Sequence, residues 1–279
     1  MATLWIDNEL VDESIARVSP LDHGILVGDG VFETICVYDR VPFAWRRHYE
    51  RLTNSAAGLG LSVPKSAVLL DAARAVIAAN DHHRGRLRIT VTGGPGPLGS
   101  ERSGAPETII VAIGSLPDWP ETERCLIVPW RRNEMGATTG LKTISYAENV
   151  RALAHARTTG AGEALFLNTA GDLCEATGSN IFLVTNGIIA TPPLDSGCLA
   201  GVTRALVIDL ALASGLTIVE KPISAVAYRE ANEAFLTSTT REVQAISQIN
   251  DCTLTGAPGP VTKMLNEAYT DLRKRECDP

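Results

Sequence analysis

Lys142, in the segment GATTGLKTISYAEN (residues 136–149), has a side chain that could do covalent chemistry. The chain has 20 arginines and only five lysines, so arginine is its usual cation. A lysine, unlike an arginine, can lose its proton, act as an amine nucleophile and form a Schiff base. A single lysine is more often a solvated surface residue. A reactive role for Lys142 therefore depends on whether the rest of the sequence supplies the other groups that such a site needs.

An acid and a phosphate-binding pattern follow Lys142 in the sequence. Glu175 lies 33 residues later, in CEATGSNIF. In LAGVTRALV, Gly201 precedes a predicted helix whose first turn contains Val202 and Thr203. Free backbone N–H groups and a hydroxyl at a helix start can hold a phosphate.

Further phosphate donors come from two other segments. TSTTRE places Ser238, Thr239 and Thr240 just after a predicted strand, and HYERL places Arg51 on a predicted helix. An arginine can bind a phosphate through two parallel hydrogen bonds. Each pattern is common by itself, but an amine nucleophile, an acid and several phosphate donors together are what pyridoxal 5'-phosphate (PLP) requires. The sequence therefore predicts a PLP site and no metal site.

A glycine-rich motif suggests a different cofactor and is rejected. Residues 94–99, GPGPLG, satisfy GxGxxG and follow a predicted strand. A dinucleotide site requires a helix to begin within the motif, and its two prolines do not favour one. We expect a Gly/Pro loop that could border a substrate pocket.

The composition is that of an ordinary globular protein. The net charge of -7 and the pI near 5.3 argue against binding to nucleic acid or anionic membranes. The acidic start MATLWIDNELVDE does not resemble a signal peptide, and no apolar stretch is long enough to span a membrane. Six scattered cysteines without a CxxC pair are typical of reduced thiols, so we expect a cytoplasmic protein.

The order of predicted elements indicates two α/β domains with mixed sheets. Strands and helices alternate in both halves, and SLPDWPETER, with two prolines, separates them. We predict a smaller N-terminal α/β domain at residues 1–116, a linker at 117–124 and a larger, PLP-binding domain at 125–279.

The chain resembles the class IV aminotransferases, which are PLP enzymes of fold type IV. The matching segments, in the family's order and spacing, are LDHGILVGDGVFETICVY, HYERL, GLKTISYAENV, EALFLNTAGDLCEATGSNIFLV, LAGVTR and LTSTTRE. The resemblance implies a two-domain fold like that of D-amino acid aminotransferase. It also implies a homodimer in which a loop of the partner helps to close the site on a small amino substrate.

The resemblance also implies a role for each matching residue. Lys142 would hold the cofactor aldehyde and then move the substrate proton, and Glu175 would pair with the pyridine nitrogen. Leu199 would pack against the cofactor ring. Phe32 and Arg102 are the candidate substrate-binding residues. The phosphate would be held by Arg51, Val202, Thr203, Ser238 and Thr239.

The family contains several reactions, and the sequence favours one of them. D-amino acid aminotransferases have a tyrosine at the position of Phe32 and an Arg-x-His pair in the loop that follows RLRITVTG, which this chain lacks. Branched-chain aminotransferases have a tyrosine at the position of Val27 and an arginine at that of Cys36. The segment KTISYAENVRALAHAR resembles 4-amino-4-deoxychorismate lyases, although one lyase pattern has threonine in place of Glu33. We predict this lyase, which forms 4-aminobenzoate and pyruvate for folate synthesis, with aminotransfer from D- or branched-chain L-amino acids to a 2-oxo acid as the alternative.

Overall fold

The computed structural model describes residues 2–279, which divide into two compact units. The first unit comprises the chain up to Pro117, the segment Leu141–Ser145 and Asp278. The second unit comprises Asp118–Gly140, Tyr146–Cys277 and Pro279. The segment that carries Lys142 therefore packs with the first unit, although it follows the predicted linker in the sequence. The extents predicted for the two domains stay predictions.

The first unit is built on one six-stranded sheet. Its elements in chain order are β1 (Thr3–Ile6), β2 (Glu9–Asp12), α1 (His23–Leu26), β3 (Gly30–Tyr38), β4 (Val41–Pro42), α2 (Trp45–Leu59), α3 (Ser66–Ala79), β5 (Arg84–Thr92) and β6 (Thr108–Gly114). The strand order is β2-β1-β6-β5-β3-β4, and all the pairings are antiparallel.

Strands β3 and β5 form a long antiparallel pair within this sheet. It runs without interruption from Gly30 opposite Thr92 to Tyr38 opposite Arg84. Every second residue of β5 up to Ile89 is buried, so its arginines share the opposite, exposed face. Apolar residues of β3, β5, α2 and α3 form one core cluster, which places α2 against the strand that carries Phe32 and Glu33.

The pattern of LWIDNEL predicts one short strand, but these residues form β1, a turn at Asp7 and Asn8, and the start of β2. The other strands and helices predicted for this half are confirmed. The hairpin predicted around Asp39 and Arg40 joins β3 to β4, and both turn residues have positive φ angles, 48° and 66°. Helix α2 ends at Gly60, which has a φ of +67° that glycine adopts at little cost. No helix begins in residues 93–107, in accordance with the rejection of a dinucleotide motif there.

The second unit is built on a nine-stranded mixed sheet. Its elements are β7 (Thr122–Arg132), α4 (Ala147–Thr158), β8 (Glu163–Asn168), β9 (Leu173–Ala176), β10 (Asn180–Thr185), β11 (Ile188–Thr191), α5 (Val202–Ala213), β12 (Thr217–Glu220), β13 (Glu233–Ser238), β14 (Glu242–Ile249), β15 (Cys252–Thr253) and α6 (Pro260–Arg275). The strand order is β12-β11-β10-β13-β14-β7-β8-β9, and β15 pairs with β14.

This sheet contains both parallel and antiparallel pairings. β7 pairs in parallel with β8 and β14, and β11 with β12, whereas the remaining pairs are antiparallel. The rings of Phe182 and Phe235 stack at the β10–β13 pair with a centroid distance of 4.8 Å. The mixed α/β class predicted from the sequence is thereby confirmed.

Three strands of the second unit, β9, β14 and the two-residue β15, were not predicted, and the start of a fourth differs from the prediction. The strands β9 and β14 were not predicted, because Glu175 and the glutamines of EVQAISQI interrupt the apolar pattern. Strand β7 begins at Thr122, inside the predicted linker. The hairpin predicted at Asn186-Gly187 is confirmed as β10–β11, with φ angles of 51° and 77° at the turn. None of the helices in residues 2–279 has the length and apolar character needed to cross a membrane.

Candidate active site

The backbone of Lys142 is fixed to β3 and α2 of the first unit. Its carbonyl accepts a hydrogen bond of 3.0 Å from the Phe32 N–H, and its own N–H donates to Ser55 Oγ, also at 3.0 Å. Two residues later, Ile144 N–H donates to Gly30 O at 2.9 Å. A lysine in a loop is thus held as firmly as a residue of a sheet, which is the support that a reacting side chain needs.

The side chain of Lys142 lies against an aromatic ring. Its Nζ is 4.4 Å from the centroid of the Phe32 ring, and Phe32 itself is buried. The guanidinium of Arg88, which projects from the exposed face of β5, is 3.8 Å from the same centroid. A nucleophile and a fixed cation therefore flank one ring, and Arg88 is a functional candidate that the sequence analysis missed.

Arg51 belongs to a buried ion pair in the first unit. Its Nε and Nη2 donate to the two carboxylate oxygens of Glu33 at 2.7 and 2.8 Å. His48 Nδ1 lies 2.7 Å from Glu33 Oε2, and Glu33 is fully buried. These two hydrogen bonds fix the orientation of the Arg51 guanidinium, and its contact with a phosphate stays a prediction.

The pKa values in this cluster follow from burial and charge. Burial raises the pKa of Glu33, but the charge and hydrogen bonds of Arg51, assisted by His48, outweigh it and hold that pKa well below the ordinary value. Burial also lowers the pKa of His48, and the positive charges of Arg51 and Lys142 lower it further against the opposing effect of Glu33. We therefore expect an ionised Glu33 and a neutral His48 at pH 7.

Arg102 anchors the Gly/Pro loop to the body of the first unit. Its Nε and Nη2 donate to the carboxylate of Asp29 at 2.7 and 2.6 Å. Its Nη2 and Nη1 also donate to the carbonyls of Leu59 and Gly60 at the end of α2, at 2.8 and 3.1 Å. These contacts fix the loop, and the substrate role suggested for Arg102 stays a prediction.

Glu175 is held from two sides within the second unit. Its Oε2 accepts a hydrogen bond of 2.9 Å from the Leu199 N–H, and its Oε1 lies 3.2 Å from Arg132 Nε. Arg132 in turn packs its guanidinium over the Phe166 ring, 4.3 Å from the centroid, and touches Asn149 Oδ1 at 3.3 Å. Arg132 keeps an opposite charge beside Glu175 and is a second candidate that the sequence analysis missed.

The segment that precedes α5 is shaped by Asn180. Its Nδ2 donates to Leu199 O at 2.9 Å, which gives Asn180 a positioning role that its sequence context did not reveal. A Cβ added to Gly201 would lie 2.1 Å from Asn180 Oδ1, so glycine is required here. Helix α5 begins directly after this glycine, and Val202 and Thr203 occupy its first turn as predicted.

The second hydroxyl-rich turn follows β13. Ser238 ends the strand and accepts a hydrogen bond of 3.2 Å from the Arg241 N–H, so residues 238–241 form a closed turn that contains Thr239. The buried hydroxyls of Ser179 and Thr237, at the ends of β10 and β13, have no hydrogen-bond partner among residues 2–279. Unsatisfied hydroxyls beside predicted phosphate donors fit a polar ligand at these strand ends.

Comparison with known proteins decides the family. The model of the family "Amino-transferase class IV" matches residues 30–249. The protein is a class IV aminotransferase family member. Its chain is 34% identical over 278 residues to a "Putative branched-chain-amino-acid aminotransferase" of Methanocaldococcus jannaschii, with coverage of 98% of this chain and 96% of the relative. It is 31% identical over 274 residues to a D-alanine aminotransferase of Bacillus licheniformis, with coverage of 94% of both chains.

Solved structures agree with this family assignment. A branched-chain aminotransferase of Thermoproteus uzoniensis, crystallised with norvaline, superposes with a TM-score of 0.91 at 31% identity, over 97% of this chain and 94% of that one. A "Putative 4-amino-4-deoxychorismate lyase" of Legionella pneumophila superposes with a TM-score of 0.88 at 26% identity, over 95% of this chain and 97% of that one. The fold type predicted from the sequence is confirmed.

The family members are PLP-dependent enzymes, and the residues of this chain fit that cofactor. An amine with fixed backbone, a carboxylate beside a guanidinium, and a glycine-started helix with adjacent hydroxyls are the groups that PLP requires. The prediction of a PLP-dependent enzyme is therefore confirmed, whereas the lyase reaction and the individual roles of Lys142, Glu175 and the phosphate donors stay predictions. Arg88 and Arg132 were missed because nothing distinguishes them in sequence from the other arginines of a strand.

Proposed function

We propose that this class IV family member is an aminotransferase that moves an amino group from a D- or branched-chain L-amino acid to a 2-oxo acid. The full-length relatives with the higher identities support aminotransfer, since they are named as enzymes for branched-chain amino acids and for D-alanine. The lyase favoured by the sequence alone becomes the second candidate.

The position of Glu33 carries this choice. One lyase pattern has a threonine here, whereas this chain has a glutamate. In this chain the Glu33 side chain is fully buried and bound to Arg51 and His48. Glu33 therefore offers no hydroxyl and no solvent-facing oxygen for the elimination step. Its carboxylate instead binds Arg51, the predicted phosphate ligand.

The residues of this chain would move a proton of the substrate and would pair with a charged group of the cofactor. The amine of Lys142, when not bound to the cofactor, would take the proton from the substrate α-carbon. PLP, when bound, supplies the electron sink for this step. Glu175, whose Oε1 lies 3.2 Å from Arg132 Nε, would pair with the protonated pyridine nitrogen. Lys142 would then return that proton, and water would release the 2-oxo acid to complete the first half of aminotransfer.

Arg88 is the proposed partner of a substrate carboxylate. Its guanidinium and Lys142 Nζ approach the same ring of Phe32 at 3.8 and 4.4 Å, so a carboxylate bound by Arg88 would place the substrate end near the nucleophile. A guanidinium can bind a carboxylate through two parallel hydrogen bonds. Phe32 would provide the apolar floor beneath it.

The lyase remains a candidate because the substrate end departs from the branched-chain pattern. Val27 stands where those enzymes have tyrosine, and Cys36, which is buried in β3, stands where they have arginine. The similarity to the Legionella pneumophila structure supports the same alternative. The steps that involve Lys142 and Glu175 are common to both reactions.

One set of assays separates the two reactions. Purified holoenzyme is mixed with L-leucine, L-valine or D-alanine, and conversion of the cofactor to its amine form is followed by absorbance together with release of the 2-oxo acid. Separately, 4-amino-4-deoxychorismate is supplied and 4-aminobenzoate and pyruvate are measured. We expect oxo-acid release from an amino acid. Release of 4-aminobenzoate without any amino-acid half-reaction would overturn the proposal in favour of the lyase.

We also propose a cytoplasmic homodimer. The family resemblance supports the dimer, and six free cysteines support a reducing compartment. Sedimentation velocity of the purified protein at two concentrations tests the dimer, and a monomer at both would contradict it.

A further inference from the structure

A second buried charge cluster lies within the second unit, and the proposed chemistry does not use it. The Arg241 cluster consists of Arg241, Glu123, Glu163 and Gln244, all buried. Arg241 Nη1 lies 3.0 Å from Glu123 Oε2 and also donates to Gln244 Oε1, and Arg241 Nη2 lies 3.3 Å from Glu163 Oε2. The ring of Trp119 covers the guanidinium at 3.7 Å. One cation thus bridges strands β7, β8 and β14.

The cluster has two carboxylates for one guanidinium, and backbone donors satisfy the remaining oxygens. Glu123 Oε1 accepts from the Arg124 N–H at 3.0 Å, and Glu163 Oε1 accepts from the Ala164 N–H at 3.0 Å. A buried ion pair of this kind costs desolvation and is weak evidence for a role in stability alone.

One outward connection of the cluster reaches the turn that follows Glu175. Glu163 Oε1 accepts hydrogen bonds from both the N–H, at 3.2 Å, and the hydroxyl of Thr177. Thr177 is two residues beyond Glu175, and its carbonyl accepts a hydrogen bond from Asn149 Nδ2. The position of this turn, and of the strand end that carries Glu175, therefore depends on Glu163.

The other outward connection reaches the turn that carries the phosphate-binding hydroxyls. Arg241 closes that turn, because its N–H donates to Ser238 Oγ at 3.2 Å. Its side chain fixes the same residue to Glu123 and Glu163. Thr239 lies between Ser238 and Arg241 in the sequence. The two turns are thus attached to opposite ends of one buried ion pair.

We propose that Glu163 and Arg241 are positioning residues that set the distance between the pyridine-nitrogen acid and the phosphate-binding hydroxyls. This inference rests on the proposed PLP chemistry and extends it to residues that touch neither substrate nor cofactor. A change in the pair would displace the hydroxyls of Ser238 and Thr239 from the phosphate while leaving Lys142 in place. The expected signature is a selective loss of recognition of the phosphate.

The test compares two forms of the cofactor. The full-length protein is freed of cofactor and titrated with PLP and with pyridoxal, which lacks the phosphate, and the two dissociation constants are measured by absorbance. In wild type, PLP should bind more tightly than pyridoxal. In Arg241→Met, we expect the pyridoxal dissociation constant divided by the PLP dissociation constant to fall by roughly tenfold or more, by analogy with the loss seen when residues that support a metal ligand are changed. Glu163→Gln should lower the ratio in the same direction, and Arg241→Lys, which keeps the charge, should restore part of it.

A matched control separates positioning from general stability. Glu233 is also a buried carboxylate of the second unit and accepts from the N–H groups of Val261 and Thr262 at 3.0 and 2.9 Å, at the other end of β13. Glu233→Gln should reduce thermal stability and leave unchanged the pyridoxal dissociation constant divided by the PLP dissociation constant. If Arg241→Met does not fold, Glu163→Gln and Arg241→Lys carry the comparison.

The outcomes distinguish this inference from the proposed function. Equal loss of affinity for PLP and pyridoxal in the Arg241 and Glu163 variants, or no loss of either, would overturn the positioning role while leaving the PLP chemistry intact. Wild-type protein that binds neither form would instead overturn the proposed function. A lowered ratio in the Glu163 and Arg241 variants with an unchanged ratio in Glu233→Gln supports the inference.

Discussion

The two units each bury a carboxylate–guanidinium cluster, and the clusters differ in what the guanidinium does. In the first unit, Arg51 pairs with Glu33 and is itself a predicted phosphate ligand. In the second unit, Arg241 pairs with Glu123 and Glu163 and supports a turn whose hydroxyls are the predicted ligands. The same pair of residue types can thus supply a ligand directly or hold another residue that supplies it.

This difference has an energetic consequence. Glu33 receives its stabilisation from Arg51 and His48, whereas Glu163 also accepts hydrogen bonds from Ala164 and Thr177. Removal of the arginine should therefore damage the first cluster more severely, because a buried carboxylate without enough donors is costly.

The largest effect is expected from Arg51→Met. This change leaves Glu33 buried with only His48 beside it, and breaking such a pair costs about 3–5 kcal/mol of the free energy of unfolding. Chemical denaturation at pH 7 measures the loss, and cofactor retention on gel filtration measures the effect on binding. The double variant Glu33→Gln/Arg51→Met should recover part of the stability but not the cofactor, and full recovery of both would show that Arg51 does not bind phosphate.

Arg132→Met should reduce activity with a smaller loss of stability. Glu175 would lose its neighbouring cation, and the rate should fall by roughly 10–100-fold, as is typical when the support of a functional residue is removed. The adjacent Arg131→Met is the matched control, since Arg131 is exposed and donates only to Pro129 O at 3.3 Å among the contacts of the described chain. Similar activities of the two variants would contradict a role for Arg132 beside Glu175.

The pH dependence of stability should report the first cluster. The pKa of Glu33 is lowered, so the folded state binds fewer protons than the unfolded state below the ordinary value of 4.5, and stability falls as pH falls through that region. The pKa of His48 is also lowered from 6.5, so stability falls in the same direction just below that pH. Denaturation between pH 7.5 and about pH 5 should show a decline that His48→Gln flattens. A decline of the same steepness in His48→Gln would contradict this assignment.

The smallest effect is expected from Arg102→Ala. The guanidinium is about one-third exposed, so its pairing with Asp29 should contribute no more than about 1 kcal/mol to stability. Release of residues 93–104 should instead appear as faster proteolysis of that loop. If the variant has the stability and the proteolysis rate of wild type but a lower substrate affinity, the role of Arg102 is to bind substrate and not to anchor its loop.

The sequence predicted the parts of this site that form local patterns. The helix start at Gly201, the lysine at position 142 and the turn after β13 each have a signature within a few residues. The structure confirms the helix start and the turn, whereas Lys142 lies in a segment that packs with the first unit and its role stays a prediction. The fold class could be predicted for the same reason, since the apolar periods of α2, α3 and β5 are regular.

The supporting residues could not be predicted, because their roles depend on contacts between distant segments. Arg132 and Glu175 are 43 residues apart in the sequence, and Arg241 and Glu123 are 118 apart. No local pattern marks one arginine of β7 or one glutamate of β8 as buried. Likewise, Arg102 was a substrate candidate from its loop alone, and only its contacts with Asp29 and the end of α2 revealed its structural use.

The most direct test of the whole account is chemical trapping of the cofactor on its lysine. The holoenzyme is reduced with sodium borohydride, digested and analysed by mass spectrometry, with Lys263→Ala as a control for an exposed lysine. The account predicts a phosphopyridoxyl group on the peptide that contains Lys142, in both wild type and the control, and none in Lys142→Ala. A label on any of the other four lysines, with Lys142 unmodified, would contradict the account.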